Sequence, residues 1–261
     1  MRLILVLAIW LGAAALHSIE IECTLRAVDR TKIHPKRTAP PANEAISSNW
    51  SGYVAAPSLQ RSVVGSVSYV AGAWVVPTIL PTPDTSYSAI WVGIDGYLSG
   101  SVEQIGTSHN WVNGAQQNYA WFEMYPSGAY MLVGFPVDVG DFMSARVGYK
   151  GNDVYKLVIF NHTKGVSFVI PAQYTTSPNL DRSSAEWVIE APFSNTVLPL
   201  ADFNLATFNY CSAFIDGIGG TISDGHWVND FIVMEDQNGI KAQPAVLLKN
   251  GTCFITTWKH E

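Results

Sequence analysis

From Ser66 to the C-terminus, hydrophobic and polar positions alternate in short stretches with a period of two, the mark of strands with one buried face. SVSYVAGAWVVP (66–77) sets small or polar residues against larger ones, and HWVNDFIVME (226–235) repeats the pattern. DFMSARVGYK (141–150) and DVYKLVIF (153–160) flank Gly151-Asn152, a hairpin signal. AVLLKNGTCFITTW (245–258) reads as a second hairpin around Asn250-Gly251, residues suited to a type I′ turn. No long segment keeps a 3.6-residue apolar period, and no fixed-period repeat stands out. Many short strands broken by Gly, Pro and Asn predict an all-β sandwich or barrel, and the length favours a single antiparallel β-sandwich of two sheets.

Two strands carry carboxylates among apolar neighbours. In AEWVIEAP (185–192), Ala185, Trp187 and Ile189 share one face while Glu186, Val188 and Glu190 share the other. In NYAWFEMYP (118–126), Ala120, Phe122 and Met124 form a core face, and Tyr119, Trp121, Glu123 and Tyr125 the opposite one. IWVGIDG (90–96) runs into a turn at Asp95-Gly96, and in SVEQIG (101–106) Val102 and Gln104 share a face. A concave sheet bearing Trp, Tyr, Glu and Gln suits an extended polymer. Glu186 and Glu190 stand roughly 13 Å apart along their strand, too far for a carboxylate dyad or a glycosidase pair. One of them therefore needs a partner from another strand.

Composition narrows the field. Of 261 residues 48% are hydrophobic and 14% charged, enough for one sizeable core. Nine Trp and eleven Tyr point to an aromatic-rich groove, and the net charge of −6 argues against a nucleic-acid partner. Arg2, the apolar run LILVLAIWLGAAAL (3–16) and Ala13-Ala14-Ala15 read as a signal peptide over 1–18; a membrane anchor is disfavoured by the short length. Secretion is the expected destination, with no membrane association once the signal is removed. The segment 19–45 has no strand alternation. Between Thr24 and Asn43 it carries five Lys/Arg against Asp29 alone, whereas the chain from Ile46 onward holds nine Lys/Arg and seventeen Asp/Glu. A basic leader on an acidic body predicts a pro-segment held by charge and released by acid; a plain linker is the alternative. The single body domain is expected over 46–261. Cys211 and Cys253 are either a disulfide or two buried thiols, and Cys23 lies near the signal. Sequons stand at Asn49, Asn161 and Asn250.

Familiar catalytic constellations are absent: there is no HExxH, CxxC pair, GxSxG, Walker loop or GxGxxG, and no Asp-Thr-Gly or Asp-Ser-Gly. The six His are scattered, with none spaced as a metal pair. Nothing calls for a metal or an organic cofactor, and a monomer is the default.

NWSGYV (49–54), WVGIDG (91–96), EQIG (103–106), YAWFEMYP (119–126) and AEWVIEAP (185–192), in that order, resemble the motif set of the glutamic peptidases (eqolisins), secreted acid endopeptidases. The resemblance covers roughly residues 46–261. It implies a sandwich of two large curved sheets, concanavalin-like in architecture, with the site on the concave face, and synthesis with a signal and a pro-segment. It implies polypeptide substrates and a catalytic Glu and Gln, carried over as Glu190 and Gln104; Glu186, on the same strand face, is then expected to hydrogen-bond neighbours. Trp50, Trp91, Asp95, Trp121, Glu123 and Tyr125 carry over as surrounding residues that contact substrate or support the pair. The chain departs from the fungal pattern at Tyr119, Ser108 and Pro192. Two other readings use the same face: a glycoside hydrolase with Glu123 and Glu190 as acid and nucleophile, and a non-catalytic carbohydrate-binding module.

Overall fold

The computed structural model describes residues 19–20, 23–28, 45–170, 173–174 and 181–261. The proposed signal segment and most of the proposed pro-segment lie outside them. In chain order the strands are β1 (Ile19–Glu20), β2 (Thr24–Val28), β3 (Ala45–Ser47), β4 (Trp50–Ala56), β5 (Val67–Val75), β6 (Ala89–Ile94), β7 (Val102–Val112), β8 (Ala115–Tyr125), β9 (Ala129–Val133), β10 (Phe142–Tyr149) and β11 (Val154–Asn161). They continue as β12 (Val166–Val169), β13 (Gln173–Tyr174), β14 (Ala185–Glu190), β15 (Phe193–Ser194), β16 (Thr196–Val197), β17 (Leu205–Ile215), β18 (Ile218–Gly220), β19 (Val228–Asp236), β20 (Gly239–Pro244) and β21 (Phe254–Trp258).

Hydrogen bonding arranges most of these in two antiparallel layers. The front layer runs β2–β9–β8–β7–β6–β14–β4–β19. The back layer runs β17–β5–β10–β11–β12. β21 pairs with β20, itself joined to β19, and with β17, so the two layers share one continuous ladder. Two short pairings are parallel, β3 with β19 and β1 with β12. This is the expected sandwich.

Alternation decides what lies between the layers. Trp187 and Ile189 of β14, Ile90 and Val92 of β6, and Phe122 and Met124 of β8 turn inward against Val70, Trp74, Met143 and Leu157 of the back layer. Each such fully buried side chain stabilises by about 1.5–3 kcal/mol relative to exposure. Polar tips are satisfied across this core: the Trp187 indole N–H donates to the Ala71 carbonyl (2.8 Å) and that of Trp74 to Thr107 Oγ1 (2.8 Å). Gly72 permits the first contact, since a Cβ there would lie 2.9 Å from the Trp187 ring.

Local signals fared unevenly. The β10–β11 hairpin forms, but its turn uses three left-handed residues, Gly151, Asn152 and Asp153. Around Asn250-Gly251 only a bridge between Leu248 and Cys253 forms, because β21 finds its main partners in β17 and β20. Lys249, Asn250 and Gly251 all have positive φ there. Cys211 and Cys253 are free buried thiols. The leader corrects an expectation: Thr24–Val28, which carries no alternation signal, is a strand on β9. An edge strand offers unpaired backbone groups whatever the added sequence.

Candidate active site

The front layer turns a second apolar cluster away from the inter-sheet core, and the expected site residues sit in and around it. Trp50, Trp91, Trp121 and Val188 form its middle, with Tyr119 and Tyr125 against it. Trp91 and Trp121 are fully buried and Trp50 nearly so, so they pack the site instead of lining an open groove. The Trp50 and Trp91 rings meet edge to face at 5.0 Å.

Cross-strand register orders this face into rows. One row reads Val54, Glu186, Gly93, Gln104, Glu123. The next on the same face reads Gly52, Val188, Trp91, Gly106, Trp121. The third reads Trp50, Glu190, Ala89, Ser108, Tyr119. Glycines mark where side chains from neighbouring strands come together. A Cβ on Gly106 would lie 2.1 Å from the Ile90 carbonyl oxygen and 2.6 Å from Trp91 Cβ. A Cβ on Gly93 would lie 3.2 Å from Gln104 Cβ and 2.9 Å from the Trp91 ring.

Gln104 is fully buried. Its Nε2 donates to Glu123 Oε2 at 2.8 Å, and its Oε1 has no hydrogen-bond partner among the described residues. An ionised carboxylate only accepts, so Glu123 fixes which end of the amide faces it and leaves the carbonyl turned elsewhere. Glu186 is also fully buried, two strands from Gln104 with only the side-chain-free Gly93 between them. Their Cα atoms are separated by two strand spacings, roughly 9.6 Å.

Glu190 occupies a different place. Its Oε2 accepts from the Trp91 indole N–H at 2.8 Å and its Oε1 from Asn49 Nδ2 at 3.3 Å. It lies two rows from Gln104, a further 13 Å or so along the strands. Sequence reasoning could not separate the two carboxylates of β14, which share a face. Asn49 was not singled out as a site residue. Gly93, a glycine inside a strand, signals a close approach at that point, but which carboxylate faces it depends on register.

Asp95 is not on the site face. It ends β6 with a left-handed φ of 70° and is fully buried. Its carboxylate accepts from the backbone N–H of Arg182 (2.6 Å) and of Ser183 (2.7 Å) and from Ser183 Oγ (3.0 Å). Burial raises its carboxyl above the usual range, and those donors partly offset the rise. Among the described residues no group of three or more His, Cys, Asp or Glu is placed to hold a metal. His109, on β7, is buried and bonded to Thr107 Oγ1 (2.9 Å) and Asn118 Oδ1 (3.2 Å).

The Peptidase A4 family model matches residues 48–251. The chain belongs to the Peptidase A4 family. The peptidase fold is also that of solved glutamic peptidases. Scytalido-glutamic peptidase, solved with a transition-state analogue inhibitor, is 23% identical with a TM-score of 0.68, over 81% of this chain and 98% of the other. SCP-B, an eqolisin-family peptidase solved with the tripeptide Ala-Ile-His, is 22% identical at a TM-score of 0.64, with the same coverages. Aspergilloglutamic peptidase from Aspergillus niger is 24% identical at 0.60, over 67% and 99%. No match is found among curated protein sequences. This peptidase therefore acts on polypeptides. The glycosidase reading also fails on geometry. Glu123 and Glu190 lie three strands apart and two rows out of register, roughly 19 Å between Cα atoms, against the 5–9.5 Å between carboxyl groups in glycosidases.

Proposed function

We propose that this glutamic peptidase is a secreted endopeptidase working in acid, and that its catalytic pair is Gln104 with Glu186, not Glu190. The observation that carries the choice of glutamate is the shared row, Glu186 and Gln104 facing each other over Gly93. A water between them can give a hydrogen bond to Gln104 Oε1 while Glu186 takes its proton. The water oxygen attacks the scissile carbonyl. The second N–H of the Gln104 amide, the one not given to Glu123, stabilises the oxyanion. Glu186 then delivers the proton to the leaving nitrogen. Glutamine keeps its donors at every pH, and a Glu/Gln pair avoids the repulsion of two close carboxylates. Glu190, fixed by Trp91 and Asn49, holds the indole of the middle row in place.

In this reading Glu123 supports Gln104, Trp50, Trp91 and Trp121 pack the site around the pair, and Tyr125 borders the substrate cleft. The test is digestion of an unfolded protein near pH 4 by Glu186→Gln, Gln104→Ala and Glu190→Gln variants whose folding is checked by circular dichroism. Losing one oxyanion donor typically costs about 10²–10³ in rate. The first two variants should lose at least that much, and Glu190→Gln markedly less. A folded Glu186→Gln protein with full activity, beside a dead Glu190→Gln, would return the role to Glu190.

The basic leader is read as a pro-segment, in line with the charge contrast and with β2 docked on the site layer. Moving purified full-length protein from pH 7 to pH 3.5 should shorten it, with a new N-terminus between residues 38 and 49. An unchanged mass after long acid exposure sinks this part of the reading.

A further inference from the structure

Directly behind Gln104, on the opposite face of β7, stands a carboxyl group that the proposed chemistry does not use. Glu103 is fully buried and points into the inter-sheet core. Its register partner on β6 is Ile94, so Asp95 is its near neighbour. The ionisable groups that face it are Asp95 at the end of β6, the Tyr155 hydroxyl on β11 and Arg182 ahead of β14. The Arg182 guanidinium is already committed. It lies 3.8 Å from the centre of the Tyr149 ring, and its Nη1 donates to the Val67 carbonyl at 3.2 Å. It forms no salt bridge with either carboxyl.

Asp95 is the more constrained of the two acids. Besides the three bonds its carboxylate accepts from Arg182 and Ser183, its backbone N–H donates to the Ser184 carbonyl at 3.0 Å. These four bonds tie the end of β6 to the three residues that lead into β14. Pairing of the two strands begins at once, Ala185 with Ile94 and then Glu186 with Gly93. The Asp95 clamp therefore sets which residue of β14 lies in the row of Gln104.

We propose that Glu103 is a proton-dependent positioning residue: as a neutral acid it lets the Asp95 carboxylate keep the clamp closed, and on ionisation it sets a second negative charge against Asp95 in the core and loosens β14. Backbone N–H groups favour the ionised form of Asp95, and Glu103 has no such set of donors, so the one proton the pair retains belongs on Glu103. Burial, with the Asp95 charge added, pushes the Glu103 carboxyl well above the ordinary carboxylate range. The native state thus holds a proton that the unfolded chain has released. The contribution of Glu103 to stability is full below the ordinary glutamate value near 4.3 and falls as pH rises toward the raised one, by up to about tenfold in the folding equilibrium per pH unit. The peptidase is built to lose its site geometry as its surroundings approach neutrality.

The stability part of this proposal is independent of which glutamate of β14 is catalytic; the activity part rests on the Glu186 reading. The experiment uses the full chain with Glu103→Gln and Glu103→Leu, melted by circular dichroism between pH 3.5 and 7.5. Unfolded-protein digestion is followed over the same range. Melting temperatures of wild type and Glu103→Gln should coincide near pH 4 and separate as pH rises, the variant falling less. The neutral-side limb of its activity profile should move up by about one pH unit, the shift a tenfold change in the clamped population gives. Wild type should also show a carboxylic-acid C=O infrared band at pH 6 that Glu103→Gln lacks, a readout that survives should Glu103→Leu fail to fold. Parallel melting curves for wild type and Glu103→Gln, or no such band in wild type, would overturn the proposal. Separated melting curves with an unmoved activity limb would uphold the charged pair and remove the clamp's role in positioning Glu186.

Discussion

Replacing Gly93 by Ala tests the geometry on which the pairing of Gln104 with Glu186 depends. Gly93 has no left-handed backbone, so the added methyl acts through space alone. Its carbon would stand 2.9 Å from the Trp91 ring and 3.2 Å from both Gln104 Cβ and the Glu103 carbonyl oxygen. Relieving those contacts needs movements of several tenths of an ångström. Overpacking of this kind costs about 1–3 kcal/mol, and the reduced freedom of the unfolded chain returns about 0.4–1 kcal/mol. The net loss, on the order of 1–2 kcal/mol, lowers the melting temperature by about 2–8 °C in a domain of this size. The effect on catalysis should be far larger. The methyl sits between the two side chains and pushes Gln104 away from the attacking position, where a displacement near 1 Å can cost about 10² in rate. The assay is digestion of an unfolded protein under saturating and limiting substrate, so that kcat and KM are separated, alongside a thermal melt. A fall in kcat of about 10–10² in a folded protein, with KM little changed, is the expected result. A folded Gly93→Ala enzyme with kcat within threefold of wild type would show that the reacting groups do not meet over this residue.

Other outcomes follow from the same geometry. Gly106→Ala meets backbone instead of a flexible side chain, at 2.1 Å from the Ile90 carbonyl oxygen, and should yield little folded protein in a soluble-expression and melting assay. Trp91→Phe removes the donor to Glu190 Oε2; a hydrogen bond to a charged acceptor contributes about 1.5–3 kcal/mol, so the melting temperature should fall, and an unchanged melt would show that this contact contributes nothing. His109 is pushed down to about 4 by burial, so its ring should stay neutral on NMR titration until the pH nears that value. Its native pKa lies below the unfolded one near 6.5, and the associated stability is therefore lost as pH falls between the two, by up to about 1.4 kcal/mol per pH unit. A His109→Gln variant should accordingly lose less stability than wild type on acidification from pH 6.5 to 4.

Much of the architecture was legible because it is local. The faces of NYAWFEMYP and AEWVIEAP follow from a period of two, and the structure places Phe122, Met124, Trp187 and Ile189 in the inter-sheet core as that period requires. The Gly151-Asn152 turn is likewise a statement about a few adjacent residues. The strand at Thr24–Val28 left no such trace, since its pairing is with an edge that any extended segment can join. Asp95, carried over from the WVGIDG motif, ends β6 at a positive φ, and its side chain turns to the backbone of Arg182 and Ser183.

The choice between Glu186 and Glu190 could not be read from the chain. Both lie on one face, and a strand's own periodicity treats them alike. What distinguishes them is register, the alignment of β6 with β7 and above all of β14 with β6, whose paired residues lie about 90 positions apart. So the sequence by itself determined which side chains share a face, because that is a property of one strand. Only the tertiary structure decided which carboxylate stands in line with Gln104 and which acid lies buried behind it, because those depend on how separate strands are aligned and stacked.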